Sequence, residues 1–292
     1  MIPSNVQEEI EKSLAEKFNL QFSILDSQSI GGGCINHAHQ LKTNHGNFFL
    51  KWNDAKSFPT MFESEAKGLS LLRATNTLFI PEISSVGEDA ENSFLLLEWI
   101  EPGKKQKNFR KDFGKNLALL HQHTSEYFGL DHDNYIGSLS QKNKPHASWT
   151  EFFIQQRLEP QVKLAVDAGK LSNQFITKLS NLYNALPEIL PEENPSLLHG
   201  DLWNGNFMVA PNGFACLMDP AVYYGHREMD LAMTRLFGGF DPEFYQSYHE
   251  TFPLEKNAPS RVDIYNLYPL LVHVNLFGGG YVQQVKSILS RF

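Results

Sequence analysis

Cysteine is nearly absent from this chain. Cys34 and Cys216 are the two present, too few for a disulfide framework, and such usage fits a reducing compartment. Basic charge is not in excess either. Lys and Arg number 25 against 33 Asp and Glu, a formal net charge of −8, which argues against a nucleic-acid partner. Long apolar runs are missing, and none approaches the ~20 residues that a membrane helix needs. The N-terminal stretch carries Glu8, Glu9, Glu11 and Glu16 and lacks the basic start and apolar centre of a secretory signal. Internal repeats and low-complexity tracts are lacking. The 11 histidines include no H-x-x-x-H pair on a helix, so no zinc site is assigned. These absences point to a cytoplasmic protein that engages neither membrane nor nucleic acid.

What is present describes a globular protein. Apolar residues make up 41% and charged residues 20% of 292, enough to bury a core in one large domain or two lobes. The pattern along the chain favours two. Ser4 with Gln7 suggests a capping box, and Val6, Ile10, Leu14 and Phe18 make a helical stripe. Strand-like segments follow at 21–30, 37–42 and 48–52, with Gly31-Gly32-Gly33 between the first two and the turn Asn44-His45-Gly46 before the third. A helix fits 61–74, and two more strands fit 82–88 and 94–100. Pro102 and Gly103 are the best boundary candidates. Residues 1–100 are thus expected as a small five-stranded β-rich lobe, and 101–292 as a mostly helical one, an α+β architecture. In the second part helices are expected at 109–123, at 149–168 with Ser148 as cap, from Ser172 to before Pro187, and from 228 onward. Asn212-Gly213 between Phe207-Met208-Val209 and Phe214–Met218 signals a hairpin.

The chemistry concentrates in Leu198-His199-Gly200-Asp201-Leu202-Trp203-Asn204-Gly205-Asn206, then Asp219-Pro220. Phosphoryl transfer needs a carboxylate facing the attacking hydroxyl, and an amide and a second carboxylate to hold Mg²⁺ on the phosphates. Asp201 and Asn206 stand five positions apart, the offset of the protein-kinase catalytic loop, and Asp219 follows thirteen positions after Asn206 across the hairpin. Asp201 is the candidate base; Asn206 and Asp219 are the candidate metal ligands. Gly200 replaces the kinase Arg, Pro220-Ala221 replaces Phe-Gly, and no Ala-Pro-Glu segment follows, which points toward small-molecule kinases. Asp230, at the start of an apolar helix, is expected to tie the catalytic loop down by hydrogen bonds.

Other candidates are weaker one by one. Gly31, Gly32, Gly33 and Cys34 suit a phosphate loop, or an ordinary turn. Lys51 lies in an apolar strand and Glu65 in the next helix, a spacing that suits a phosphate-contacting Lys and its partner. The plain alternative is an exposed Lys and a surface Glu. Glu63 competes, but Glu65 opens Glu65-Ala66-x-Gly68-Leu69. Glu98-Trp99-Ile100 sits where a nucleotide base meets backbone, or is merely a strand end. Trp203 either packs into its lobe or serves as a platform for a sugar ring or an alkyl chain. Cys34 is either tolerated in a turn or a redox-sensitive thiol beside backbone N–H groups. Cys216, in an apolar hairpin strand, is expected to be buried.

The chain resembles the fructosamine kinase, or ketosamine-3-kinase, family in the aminoglycoside-phosphotransferase branch of the protein-kinase-like fold. The marks are Gly31–His37, Phe62-x-x-Glu65-Ala66-x-Gly68-Leu69, Asp133–Gly137, Trp149-x-x-Phe152-Phe153, Leu198–Asn206, Tyr224–Asp230 and Phe277-Gly278-Gly279-Gly280-Tyr281. The resemblance implies ATP- and Mg²⁺-dependent phosphorylation of the 3-hydroxyl of a ketosamine, free or on a protein lysine, as a step of deglycation repair. It implies Asp201 as base, Asn206 and Asp219 on the metal, Lys51 with Glu65 on the phosphates, and Trp203 against the sugar. It also implies that His273 and Asn275 line the acceptor pocket. The competing readings are another small-molecule kinase of this branch, for an aminoglycoside, an amino alcohol or a sugar, and a non-catalytic nucleotide-binding scaffold. Monomer and homodimer are both open.

Overall fold

The computed structural model describes residues 2–31, 36–172 and 174–292. By internal contacts the chain divides into two compact units, Met1–Gln106 with Met208–Met218, and Lys107–Phe207 with Asp219–Phe292.

The first unit opens with α1 (Ser4–Phe18), then β1 (Ile24–Ser29), β2 (His37–Thr43), β3 (Gly46–Asp54), α2 (Met61–Ala74), β4 (Ile83–Glu88) and β5 (Asn92–Glu98). The five strands form one antiparallel sheet in the order β1-β2-β3-β5-β4. The expected strand count and the inserted helix are both met. Val6, Ile10 and Leu14 recur about once per turn of α1 and bury against Leu41, Phe48, Leu50, Phe94 and Leu96. Because strand side chains alternate faces, Phe48 and Leu50 join this core while Lys51 points to the other side. The expected capping box does not form. Pro3 is the residue before the helix, Ser4 is already helical, and Gln7 reaches back to donate to the carbonyl of Ile2.

The second unit carries α3 (Phe109–His121), β6 (Asn134–Ile136), β7 (Leu139–Gln141), α4 (Trp149–Phe152), a π-helical turn over Phe153–Leu158, α5 (Glu159–Asp167) and α6 (Gln174–Ile189). Then follow in chain order β8 (Ser196–Leu198), the strands β9 (Phe207–Val209) and β10 (Ala215–Leu217), whose residues 208–218 fall in the first unit, and β11 (Tyr223–Gly225), α7 (Glu228–Leu236), α8 (Pro242–Thr251), α9 (Ala258–Phe277) and α10 (Gly280–Leu289) of the second. Ser148 caps α4 as expected, its Oγ accepting from the Glu151 amide. The single helix expected at 149–168 is broken by the π turn over Phe153–Leu158. Helix α6 runs through Pro187 to Ile189 rather than stopping before it. Pro187 falls in the last turn, where its missing N–H costs one hydrogen bond. Strands β6 to β8 and β11 escaped the sequence reading because three residues are too few to show a period.

The hairpin β9–β10 belongs largely to the first unit. It turns at Asn212-Gly213, with Gly213 at φ +82° and the Asn212 side chain accepting from the Phe214 amide. The linker after β5 lies on it: the Gly103 amide donates to Val209 O, and a Cβ at Gly103 would stand 2.0 Å from Ala210 O. Only glycine fits there. Among the described residues no helix is long and apolar enough to cross a membrane.

Candidate active site

The catalytic loop is hung between two paired strands. Strand β8 delivers His199, and β11 pairs with it antiparallel, Tyr223 opposite Leu198. At Gly200 the chain takes φ +82°, and a Cβ would lie 2.0 Å from Ala221 O. That crowding gives the physical reason for glycine where kinases carry Arg. The turn is then clamped. Asp230, in the first turn of α7, accepts from the His199 amide at 2.8 Å and the Gly200 amide at 2.9 Å. This is the tying role expected of Asp230. Behind it, His121 Nε2 lies 3.2 Å from Asp230 Oδ2, and His121 Nδ1 lies 2.8 Å from the Tyr248 hydroxyl. Burial pushes the Asp230 carboxyl up, but the His121 hydrogen bond, nearby imidazoles and the Gly200 amide outweigh it and hold it below the usual range.

Asp201 and Asn206 come together as their spacing implied. Asn206 Nδ2 donates to Asp201 Oδ2 at 2.9 Å, to Asp201 O at 2.8 Å and, longer, to Asp219 O at 3.4 Å. Burial raises the Asp201 carboxyl to about 7; the Asn206 hydrogen bond opposes this, and the charges of Asp219 and Asp230 add to it. A carboxyl near neutrality is matched to taking a proton at physiological pH. Asp219 leaves β10 at φ +54°, a left-handed conformation, and two residues on the Ala221 amide bonds back to His199 O. Its side chain is solvent-exposed.

These residues fit a magnesium ion bound jointly with phosphates. With Nδ2 of Asn206 turned to Asp201, its amide oxygen faces away as an acceptor, and Asp219 adds a carboxylate: an all-oxygen set. Mg²⁺ on nucleotides takes one or two protein ligands and completes its shell with phosphate and water. Accordingly, among the described residues no cluster of three His, Cys, Asp or Glu side chains forms a self-sufficient metal cage.

In the first unit Lys51 Nζ meets Glu65 Oε1 at 2.6 Å, with the two side chains 7% and 11% exposed. The competing Glu63 instead pairs with Lys67 on the helix surface. A buried Lys–Glu pair on the sheet face away from the α1 core is costly unless it has a task. Gly31 begins the loop between β1 and β2, just past the Ile30–Ala38 hydrogen bond. Gly32, Gly33 and Cys34 lie outside the described residues. Glu98 closes β5, and its carboxylate accepts from the Glu82 amide. Trp99 Nε1 donates to Glu101, and Trp99 and Ile100 are both half-buried. Cys216 is buried as expected, its thiol pushed up to about 12 by burial and the Glu98 charge.

Trp203 is half-buried, its ring lying over Gly205, where a Cβ would come within 2.3 Å of it. Its edge meets Phe237 at 5.7 Å, and Phe237 in turn meets His273 at 5.1 Å. Trp203 and His273 are therefore linked through Phe237, which sequence reasoning missed although Leu236-Phe237-Gly238-Gly239 marks a helix end with an exposed ring. Asn275 is engaged elsewhere: its Nδ2 donates to both the carbonyl and the side chain of Gln161, and Lys170 bonds its carbonyl. Arg157 was also missed. The π turn buries it against Tyr223 at 3.9 Å, with Nη2 donating to Asn143 Oδ1 and Nη1 to Lys142 O.

A five-stranded antiparallel lobe with a buried Lys–Glu pair, and a helical unit with an Asp/Asn/Asp loop, define a kinase-like phosphotransferase. The comparisons narrow this. The fructosamine kinase family matches residues 6–292. A probable ketoamine kinase of Vibrio parahaemolyticus is 40% identical over 97% of both chains. The chloroplastic protein-ribulosamine 3-kinase of Arabidopsis thaliana is 38% identical over 90% of this chain and 81% of its own. A crystal structure assigned as a fructosamine-3-kinase from Haemophilus somnus superposes with a TM-score of 0.88 at 30% identity, covering 97% of this chain and 96% of that one. Aminoglycoside phosphotransferase APH(4)-Ia shares the fold at a TM-score of 0.62 and 17% identity, over 97% of this chain and 98% of that one. The chain belongs to the fructosamine kinase family.

Proposed function

We propose that the protein transfers the γ-phosphoryl group of ATP to the 3-hydroxyl of a ketosamine. The observation that carries this reading is the Asp201–Asn206 pair beside Asp219 in a chain of this family. Relatives named ketoamine kinase and ribulosamine 3-kinase support the acceptor class, and the AMP-PNP complex of a neighbour of the same fold supports the nucleotide.

Asp201 orients the sugar hydroxyl and takes its proton as the bond to phosphorus forms. Asp230 holds the loop backbone so that Asp201 does not have to be positioned at the moment of reaction. Asn206 and Asp219 would hold magnesium. Magnesium bound with the nucleotide neutralises charge on the transferring group. Lys51, oriented by Glu65, contacts the nucleotide phosphates, with the loop from Gly31 and the backbone of 98–100 completing the nucleotide's contacts. Trp203 packs on the sugar. Phosphorylation makes the adduct labile and frees the amine, a repair chemistry suited to the cytoplasm, where ATP and glycated protein coexist.

ADP release tests the reading against its competitors. Fructosyl- and ribulosyl-lysine are expected to stimulate it, while an aminoglycoside, choline and free fructose leave it near background. Stimulation by one of the latter alone moves the protein to another small-molecule kinase, and stimulation by none of the panel favours the scaffold.

A further inference from the structure

Five aromatic rings on the second unit make one continuous wall that starts at the catalytic loop. Trp203 touches Phe237, Phe237 touches His273 at 5.1 Å, and His273 touches Tyr281 at 4.9 Å and Phe277 at 5.6 Å. Two members stand in water: Phe237 is 36% and Phe277 56% exposed. Two exposed rings joined through His273 to the ring on the catalytic loop form an apolar surface that suits a ligand's apolar part. Beyond Phe277 the chain carries no side chain at Gly278, Gly279 and Gly280, and open space lies where a Cβ would stand. None of the five side chains is a carboxylate. Burial holds His273 below the usual imidazole range despite the hydrogen bond that its Nδ1–H donates to Pro269 O, which disfavours a competing positive charge on the wall.

The ketosamine nitrogen is a secondary alkylamine and is protonated near neutrality. With the 3-hydroxyl at Asp201 and the sugar ring on Trp203, the nitrogen and its alkyl arm lead away from the base. The wall begins at Trp203 itself, so the arm of a sugar stacked there meets Phe237 and His273 next. Aromatic faces attract a substituted ammonium and at the same time bury the methylenes beside it. A carboxylate would attract any amine, an aminoglycoside included; rings select a cation that carries apolar substituents. We infer that Phe237, His273, Phe277 and Tyr281 recognise the substituted ammonium and alkyl arm of the acceptor, and so set the preference for ketosamines over free sugars. This inference rests on the ketosamine reading of the site.

The test compares a fructosyl alkylamine with its oxygen isostere, in which an ether replaces the secondary amine. Wild-type enzyme is expected to favour the amine in kcat/KM by about tenfold, what two or three cation–π contacts of ordinary strength supply. In Phe277→Leu and Tyr281→Leu, which keep apolar bulk and lose the π face, the ratio is expected to fall toward unity, chiefly through KM of the amine. Equal use of the two compounds by wild type, or a ratio unmoved in both variants, overturns the inference and leaves the ketosamine reading standing. Wild-type enzyme that phosphorylates neither compound refutes that reading and the inference with it. Phe277 lies on the surface, so its replacement does not threaten the fold, and the wild-type comparison needs no variant.

Discussion

Asp201→Asn is expected to lose turnover by ~10²–10⁴, the range of a positioned general base, and yet to be more stable than wild type at pH 8. Both effects follow from one environment. Asp201 is half-buried and desolvation raises its carboxyl to about 7, against ~4 in the unfolded chain. Between those values the native state holds a proton that the unfolded state has released. Native stability therefore declines as pH rises through this window, and above it the full penalty of a buried charge remains. Three units correspond to roughly 4 kcal/mol as an upper bound, so relief of about 2–4 kcal/mol is expected at pH 8, shrinking to nothing below pH ~4. Asparagine keeps an oxygen to accept from Asn206 Nδ2 and carries no charge. Denaturant melts at pH 4 and pH 8, with ADP release measured alongside, read both effects. Turnover near that of wild type would place the base elsewhere. A variant less stable at pH 8 would show that the native site does not disfavour the Asp201 charge.

Asp219→Ala is expected to lower Mg²⁺-dependent turnover by the order of 10³ or more, because an electrostatic clamp on the transferring group is among the largest single contributions to such catalysis. Fold stability should change little. Asp219 is exposed and itself adopts the left-handed conformation at φ +54°, so its loss to alanine costs the fold at most about 1–2 kcal/mol. The signature is a shift in the magnesium titration: nucleotide affinity in excess Mg²⁺ falls toward its metal-free value. A variant with wild-type turnover and an unchanged magnesium requirement would move the metal to other ligands.

The parts of this site that were legible share one property: their geometry is local. Asp201 and Asn206 are brought together by a five-residue offset within one loop, and the Asn-Gly hairpin returns the chain to Asp219. Strand alternation put Lys51 on one face, and helix spacing brought Glu65 rather than Glu63 toward it. Asp230 was readable as an acid at a helix start, where free amides and the helix dipole favour a carboxylate. What stayed hidden depends on tertiary packing. The π turn that buries Arg157 spans only Phe153–Leu158 between two α-helical segments, too short a change of period to stand out in the sequence. Phe237 joins Trp203 to His273 only once α7 and α9 have docked. The commitment of Asn275 to Gln161 is equally non-local, and three-residue strands carry too few side chains to announce a period.

The position of the transferred phosphate tests the central claim most directly. Fructosyl-lysine incubated with ATP, Mg²⁺ and the enzyme is followed by phosphorus NMR correlated to the sugar carbons, with free lysine measured in parallel. The account predicts a single new phosphomonoester on C3 and lysine appearing as that product decays. A phosphate on another hydroxyl, or a stable product that releases no amine, would contradict it.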